Sequence, residues 1–197
     1  MAPTVRLRRR LRRTRRSLPE AVRLANTLML RRIARLRVTI GFISAIVVLW
    51  LAHPTARSLA GGATIAAIGE AIRVWPAGPL EKGREVTMSG PYAFTRHPLY
   101  MGSVIIGIGL AVAAASLVVA ALVLAYLAIT LTAAIATEEA HLTEKFGAAY
   151  PAYREGRAGA ERRRFSLARA IRNREYRAVA GLAGVIAILA WKLGSRL

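Results

Sequence analysis

Residues 99–136 form a run of 38 residues without a charged side chain. A membrane-spanning helix needs about 20 mainly apolar residues, so this run is too long for one crossing and long enough for two. Backbone groups in lipid must bond one another, and the run lacks the alternation of a membrane β-strand. It therefore predicts two helices, over residues 98–114 and 117–137, joined by a hairpin tip near residue 115.

Three further apolar stretches extend this pattern along the chain. They predict helices over residues 38–53, 57–76 and 178–193, and Arg or Lys at the ends of the short runs can reach the membrane surface. We therefore expect an all-α integral membrane bundle of about five transmembrane helices, in which the third and fourth form a helical hairpin. The alternative is a soluble α-helical bundle, but a chain of 197 residues would have difficulty burying so long an uncharged run.

The charges are separated from the apolar residues. The chain has 30 Lys and Arg against 10 acidic residues, all of them Glu, for a net charge of +20. Residues 1–37 and 154–177 hold most of the excess Arg, whereas residues 38–153 are neutral overall. A cytoplasmic N-terminus puts 1–37, 77–97 and 138–177 on the same side, as the positive-inside rule favours.

The first 37 residues are predicted to be a basic amphipathic cytoplasmic segment. Its apolar residues recur at helical spacing, and Arg residues occupy the other positions, a pattern suited to anionic membrane lipids. An organellar transit peptide or a nucleic-acid-binding arm are alternatives; we expect no nucleic acid, because RLRRRLRRTRR contains no aromatic residue. Residues 38–197 then form the membrane domain, with its hairpin at 98–137, a cytoplasmic segment at 138–177 and a C-terminal helix at 178–193.

Composition excludes several kinds of site. The chain has no Cys and no Asp, so disulfides, thiolate zinc sites and a Ser-His-Asp triad are excluded. Its three His residues are too dispersed to indicate a metal, and we expect none.

Polar residues at the ends of apolar helices are the candidates for chemistry. SGPYAFTRHPLYMG, residues 89–102, places Arg96, His97 and Tyr100 where the third helix begins. Glu138 and Glu139 follow the fourth helix, and antiparallel packing of the two helices would bring the acids beside Arg96. Interfacial anchoring by these residues is the alternative.

Two other groups are less specific. Glu70 and Arg73 are three residues apart in the second helix, so we expect them to pair with each other; a role facing the substrate is the alternative. Tyr150 and Tyr153 suit stacking on a flat ligand or a place at the membrane interface. Gly147 is expected to end the helix that begins at residue 117.

GPYAFTRHPLYMG, two apolar passes and EEAHLTEKFGAAYPAY together resemble the isoprenylcysteine carboxyl methyltransferase family and related phospholipid N-methyltransferases. The resemblance covers residues 90–153. It implies a membrane-integral methyltransferase that uses S-adenosyl-L-methionine at the cytosolic membrane face, on a lipophilic small-molecule or prenylated substrate. It also implies cofactor contacts from His97, Tyr100, Glu138, Glu139, Tyr150 and Tyr153, with Arg96 and one of the two Glu beside the reacting group. Glu139 is the preferred candidate for a base, which an amine, thiol or phenol acceptor needs.

The chain departs from that family pattern after Tyr153. Residues 154–177 are rich in Arg and contain no Pro, and a further apolar run follows at 178–191. The resemblance therefore does not define which segment closes the cleft, nor does it define a prenylated protein as the substrate. The other readings are a membrane reductase that uses a nicotinamide cofactor and a non-enzymatic basic membrane scaffold; paired Glu residues argue against a phosphate-bearing dinucleotide.

Overall fold

The computed structural model describes residues 36, 39, 41–157 and 163–195, and every regular element in these residues is helical. Most of the predicted N-terminal amphipathic segment lies outside the described residues. The helices are α1 (Gly41–Leu51), α2 (Ala56–Ala77), α3 (Pro98–Ala114), α4 (Leu117–Phe146), α5 (Ala149–Arg154), α6 (Leu167–Arg172) and α7 (Tyr176–Gly194), with a short 3-10 helix at Gly90–Ala93.

The predicted hairpin is present, with its tip at Ala115. This residue adopts a left-handed conformation (φ 49°) that ends α3. Ser116 then starts α4, because its side chain accepts a hydrogen bond from the Val119 N–H. The prediction that Gly147 ends α4 is also confirmed, since the helix continues to Phe146 and Gly147 has a φ of 53°.

Glycines bring α2 and α3 close together along their lengths. A Cβ atom on Gly62 would lie 2.3 Å from the Ala113 nitrogen, and one on Gly69 would lie 2.7 Å from the Ile106 nitrogen. The two helices are therefore antiparallel and in backbone contact, as small residues permit at helix interfaces in membranes.

Two helices among the described residues are long and apolar enough to cross a membrane by length and composition, Leu117–Phe146 and Tyr176–Gly194. Gly41–Leu51 and Pro98–Ala114 are apolar but shorter. The count of five transmembrane helices is thus not confirmed. Several large apolar side chains of α1 and α4 are exposed, including Trp50 and Leu117, as expected for helices that face acyl chains.

The loops divide between two ends of the bundle. At one end, the His53 N–H bonds the Ala114 carbonyl oxygen at 2.8 Å, and Lys192 Nζ donates to the Leu49 and Trp50 carbonyl oxygens at 2.7 Å each. At the other end lie the loop after α2, the start of α3 and the end of α4. The longer polar segments therefore share one end of the bundle.

The expected pairing of Glu70 with Arg73 is not formed. Arg73 donates to Ser103 Oγ at 2.8 Å and to Glu175 Oε2 at 3.1 Å, at the start of α7. The Glu70 side chain is buried, and neither of its carboxylate oxygens has a hydrogen-bond partner in the described part of the chain. Arg73 reaches α3 and α7 because α2 packs between them, a tertiary effect that spacing along one helix does not reveal.

Candidate active site

The start of α3 and the polar end of α4 meet through Glu139. Its Oε1 lies 3.3 Å from Arg96 Nη1 and 3.0 Å from His97 Nε2. The imidazole is mostly buried, whereas the Arg96 side chain is 46% exposed. One carboxylate thus holds two potential cations from the turn before α3, and these sequence-distant groups form one cluster.

Glu138 lies next to Glu139 on α4 but bonds a different partner on α3. Its Oε2 accepts a 2.7 Å hydrogen bond from the Tyr100 hydroxyl. Consecutive residues on a helix point about 100° apart, so Glu138 and Glu139 reach separate groups of α3. The His97 and Tyr100 rings lie 5.8 Å apart. The adjacent acids therefore connect α4 to α3 in two places.

Local sequence explains why these groups point from the start of α3. Gly90 has a φ of 61°, which lets the chain turn into the 3-10 helix. Pro98 occupies the first turn of α3, where its missing N–H costs nothing. His97 is the N-cap residue, but its side chain makes no capping hydrogen bond; it bonds Glu139 instead.

Helix α5 folds back over the cluster after Gly147. Tyr150 is only 2% exposed, and its hydroxyl has no hydrogen-bond partner among the described residues. The Tyr153 hydroxyl donates to the Tyr92 carbonyl oxygen at 2.6 Å, which attaches α5 to the 3-10 helix. The rings of Tyr150 and Tyr153 are 6.1 Å apart, so one of these two phenols is structurally engaged and the other is not.

The cluster favours a charged carboxylate beside neutral phenols. Burial alone would raise the pKa of Glu139, but the hydrogen bond from His97 and the charge of Arg96 outweigh it, so that the pKa lies below its ordinary value. Glu139 lies beyond the apolar part of α4, which ends at residue 137. Burial, with the nearby Glu139 charge, raises the pKa of Tyr150 to about 12. Tyr150 is therefore a hydrogen-bond donor at neutral pH.

Two groups near the cluster were missed by sequence reasoning. Tyr92 is buried, and burial followed by the charge of Glu138 raises its pKa. The Glu175 charge acts on Tyr92 as well, and Glu175 itself pairs with Arg73 at 3.1 Å. Tyr92 lay inside the quoted GPYAF motif, which was its only signal; Glu175 had none.

The residues present fit S-adenosyl-L-methionine by their chemistry. Its amino group and ribose hydroxyls call for carboxylate acceptors, which Glu138 and Glu139 provide. Its carboxylate needs hydrogen-bond donors, and its adenine stacks on flat side chains. The Tyr150 hydroxyl, which has no hydrogen-bond partner among the described residues, is a buried donor.

The fold is all-helical among the described residues and contains an apolar hairpin. Acidic, basic and phenolic groups cluster at one end of that hairpin. These features define a class of helical membrane-type proteins with a polar site at the mouth of the hairpin. The sequence model of the phospholipid methyltransferase family matches residues 36–149, more than half of the chain. The chain therefore belongs to this family of methyltransferases, which is related to the isoprenylcysteine carboxyl methyltransferases. Among curated proteins and among solved structures, none is significantly similar to it.

Proposed function

We propose that this protein is a membrane-integral methyltransferase that transfers a methyl group from S-adenosyl-L-methionine to a lipophilic substrate at the cytoplasmic face of the membrane. The observation that carries the proposal is the meeting of Arg96, His97 and Tyr100 with the two acids of α4. The proposal includes the five-helix topology expected from the sequence, with a cytoplasmic N-terminus, which would put the cluster at the inner leaflet. The family match supports methyl transfer as the reaction.

The main contribution of the protein to this reaction is to position the cofactor and the substrate relative to each other. When bound, S-adenosyl-L-methionine supplies an electrophilic methyl group on a positively charged sulfur. Glu138 would hold the cofactor as a hydrogen-bond acceptor and Tyr150 as a hydrogen-bond donor. Arg96 would orient the substrate that receives the methyl group. Holding two reactants in line can supply about 7–11 kcal/mol of the barrier reduction, without a metal ion.

We assign Glu139 the task of orienting Arg96 and His97. A carboxylate whose pKa is lowered by two partners is a weak general base. A carboxylate acceptor has no proton to lose, so methylation of its oxygen would need no general base. Arg96 can then hold that acceptor through two parallel hydrogen bonds. An amine acceptor must first give up a proton, which His97 is placed to accept.

Binding of S-adenosyl-L-methionine to the detergent-purified protein tests the proposal directly. We expect saturable binding by titration calorimetry, weakened about tenfold or more in E138Q, because a charge-assisted hydrogen bond contributes about 1.5–3 kcal/mol. E144Q is the matched control, since Glu144 is an exposed acid on the same helix. Absence of saturable binding at high micromolar cofactor would favour the reductase or scaffold alternatives.

The acceptor is identified by turnover of a labelled methyl donor with hydrophobic carboxylates, amines, thiols and phenols. A carboxylate acceptor predicts a large loss of activity in R96Q and little dependence on pH between 6 and 9. An amine acceptor predicts activity that increases with pH and is lost in H97Q. Equal activity of both variants with every acceptor would contradict the assigned roles.

A further inference from the structure

A basic cavity lies at the same end of the bundle as the candidate site but consists of different residues. Its volume is about 450 Å³. The loop after α2 contributes Lys82 and Arg84, and the end of α6 contributes Arg172 and Arg174. None of the residues of the proposed transfer site lines it, so it is a separate feature.

Hydrogen bonds between the two walls hold the cavity open. Arg169 Nε donates to the Gly78 carbonyl oxygen at 2.6 Å. Asn173 Nδ2 donates to the carbonyl oxygens of Ala77 and Leu80, each at 3.0 Å. These bonds fix the loop after α2 against α6. The basic side chains of the two walls are therefore held close together by the fold.

The charge of the cavity is not neutralised by its neighbours. Its one acidic lining residue, Glu81, already lies 3.7 Å from Arg163, 3.9 Å from Arg84 and 4.0 Å from Arg169. Lys82, Arg172 and Arg174 are exposed and make no ion pair within the described ranges. A cavity with several uncompensated cations, two of them Arg, fits the oxygens of a phosphate group.

Apolar side chains beside the cavity indicate where that phosphate comes from. Leu167 and Ile171 lie one turn apart on α6 and are 63% and 53% exposed. Phe165, just before α6, and Trp75, at the end of α2, are about half exposed as well. A short helix with basic residues on one side and large apolar residues on the other is suited to the headgroup region of a membrane.

We propose that this cavity binds the phosphate group of an anionic phospholipid from the surrounding leaflet. The site goes beyond the proposed methyl transfer and does not depend on it. Lys82 approaches the phosphate from one wall, and Arg172 and Arg174 approach it from the other. The acyl chains extend along the exposed apolar side chains of α6.

Binding of dioctanoyl phosphatidic acid to the full-length protein in detergent tests this site. We expect saturable binding that weakens about tenfold or more in the double variant R172Q/R174Q, and separately in K82Q from the opposite wall. R177Q is the matched control, because Arg177 is close in sequence but does not line the cavity. The basic N-terminus is identical in all variants, so its contribution cancels.

Unchanged affinity in both cavity variants, or an equal loss in R177Q, would overturn the proposal. Inorganic phosphate and pyrophosphate form the soluble arm of the experiment: competition as strong as that of the lipid would assign the cavity to a soluble anion instead. Dioctanoyl phosphatidylcholine, whose headgroup has no net charge, should bind at least tenfold more weakly. Because lipid binding is measured without methyl donor or acceptor, its failure would leave the proposed methyl transfer untouched.

Discussion

Glu139 is bonded to two side chains that can be positively charged, and its protonation state therefore contributes to the stability of the hairpin end. Its pKa in the folded protein lies below the ordinary value of 4.5. A carboxylate of this kind contributes stability above its unfolded pKa, and that contribution disappears as the pH falls through the folded pKa. The acid range is thus where the cluster should weaken.

We predict that E139Q lowers the melting temperature by about 2–4 °C at pH 7, which corresponds to roughly 1 kcal/mol in a chain of this size. The difference between wild type and E139Q should shrink as the pH falls below 4.5, because the wild-type carboxyl then becomes protonated. Thermal unfolding in detergent at pH 7, 5, 4 and 3 measures it. A difference that stays constant over this range would contradict the assigned charge state.

Glu70 and Glu175 should respond in opposite ways to neutralisation. E175Q removes the charge that faces Arg73, and we expect a loss of about 1–3 kcal/mol, because the pair is mostly but not fully buried. E70Q removes a buried charge that accepts no hydrogen bond from the described residues, so the melting temperature should stay the same or increase.

Thermal unfolding of both variants provides the comparison, and E155Q is the control, since Glu155 belongs to an exposed pair with Arg157 that should contribute little. A decrease for E70Q as large as that for E175Q would mean that the Glu70 carboxylate has an essential partner.

The two groups of residues also differ in what sequence could predict. Arg96, His97, Tyr100, Glu138 and Glu139 lie where apolar runs stop, and a hairpin of fixed length brings such ends together. The partner of Arg73 depends instead on where α7 packs against α2, and no pattern within either helix encodes that position.

The start of each hairpin helix was predictable because an uncharged run of 38 residues has the length of two crossings. In the structure, Pro98 begins α3 and Ser116 caps the start of α4. The dominance of α2 as the packing partner of α3 was not predictable. It depends on glycines at matching heights of two helices, and the register between them is a tertiary property.

Adjacent glycines in α2 allow a matched test of this packing. A Cβ on Gly62 would meet backbone atoms of α3 at 2.3–2.6 Å, whereas one on Gly61 would have nothing within 4 Å. We expect G62A to destabilise the protein by about 1–3 kcal/mol through overpacking. G61A should be neutral or slightly stabilising, because Ala favours helix more than Gly does.

Melting temperatures of the two variants check this expectation, and binding of S-adenosyl-L-methionine by G62A and by G61A shows whether the loss of packing reaches the site. Equal melting temperatures for G61A and G62A would show that α2 and α3 are farther apart than described.

At the scale of the whole molecule, the polar loops lie at one end of the bundle and the short connections at the other. The chain has no Cys, so a single introduced Cys reports its own position without background. We predict that Cys at position 84 in R84C is labelled by an impermeant maleimide only after cells are opened. Cys at position 56 in A56C should be labelled in intact cells.

Both positions are exposed in the structure, so a failure to label cannot be assigned to burial. Labelling of position 84 in intact cells would invert the orientation and place the candidate site outside. The positive-inside argument supplied this orientation from composition alone, whereas the full number of crossings depends on how the shorter helices sit in lipid.

Helix α4 has 30 residues, a length of about 45 Å, whereas the hydrocarbon core of a bilayer is about 30 Å thick. If its apolar part crosses a bilayer, its last turns, which include both acids, extend beyond the acyl chains. In the proposed function, a lipid substrate then reaches the acids by lateral diffusion while its tails remain in the bilayer. Turnover should accordingly follow the mole fraction of acceptor in mixed micelles, and dilution with inert detergent at constant total acceptor should slow it.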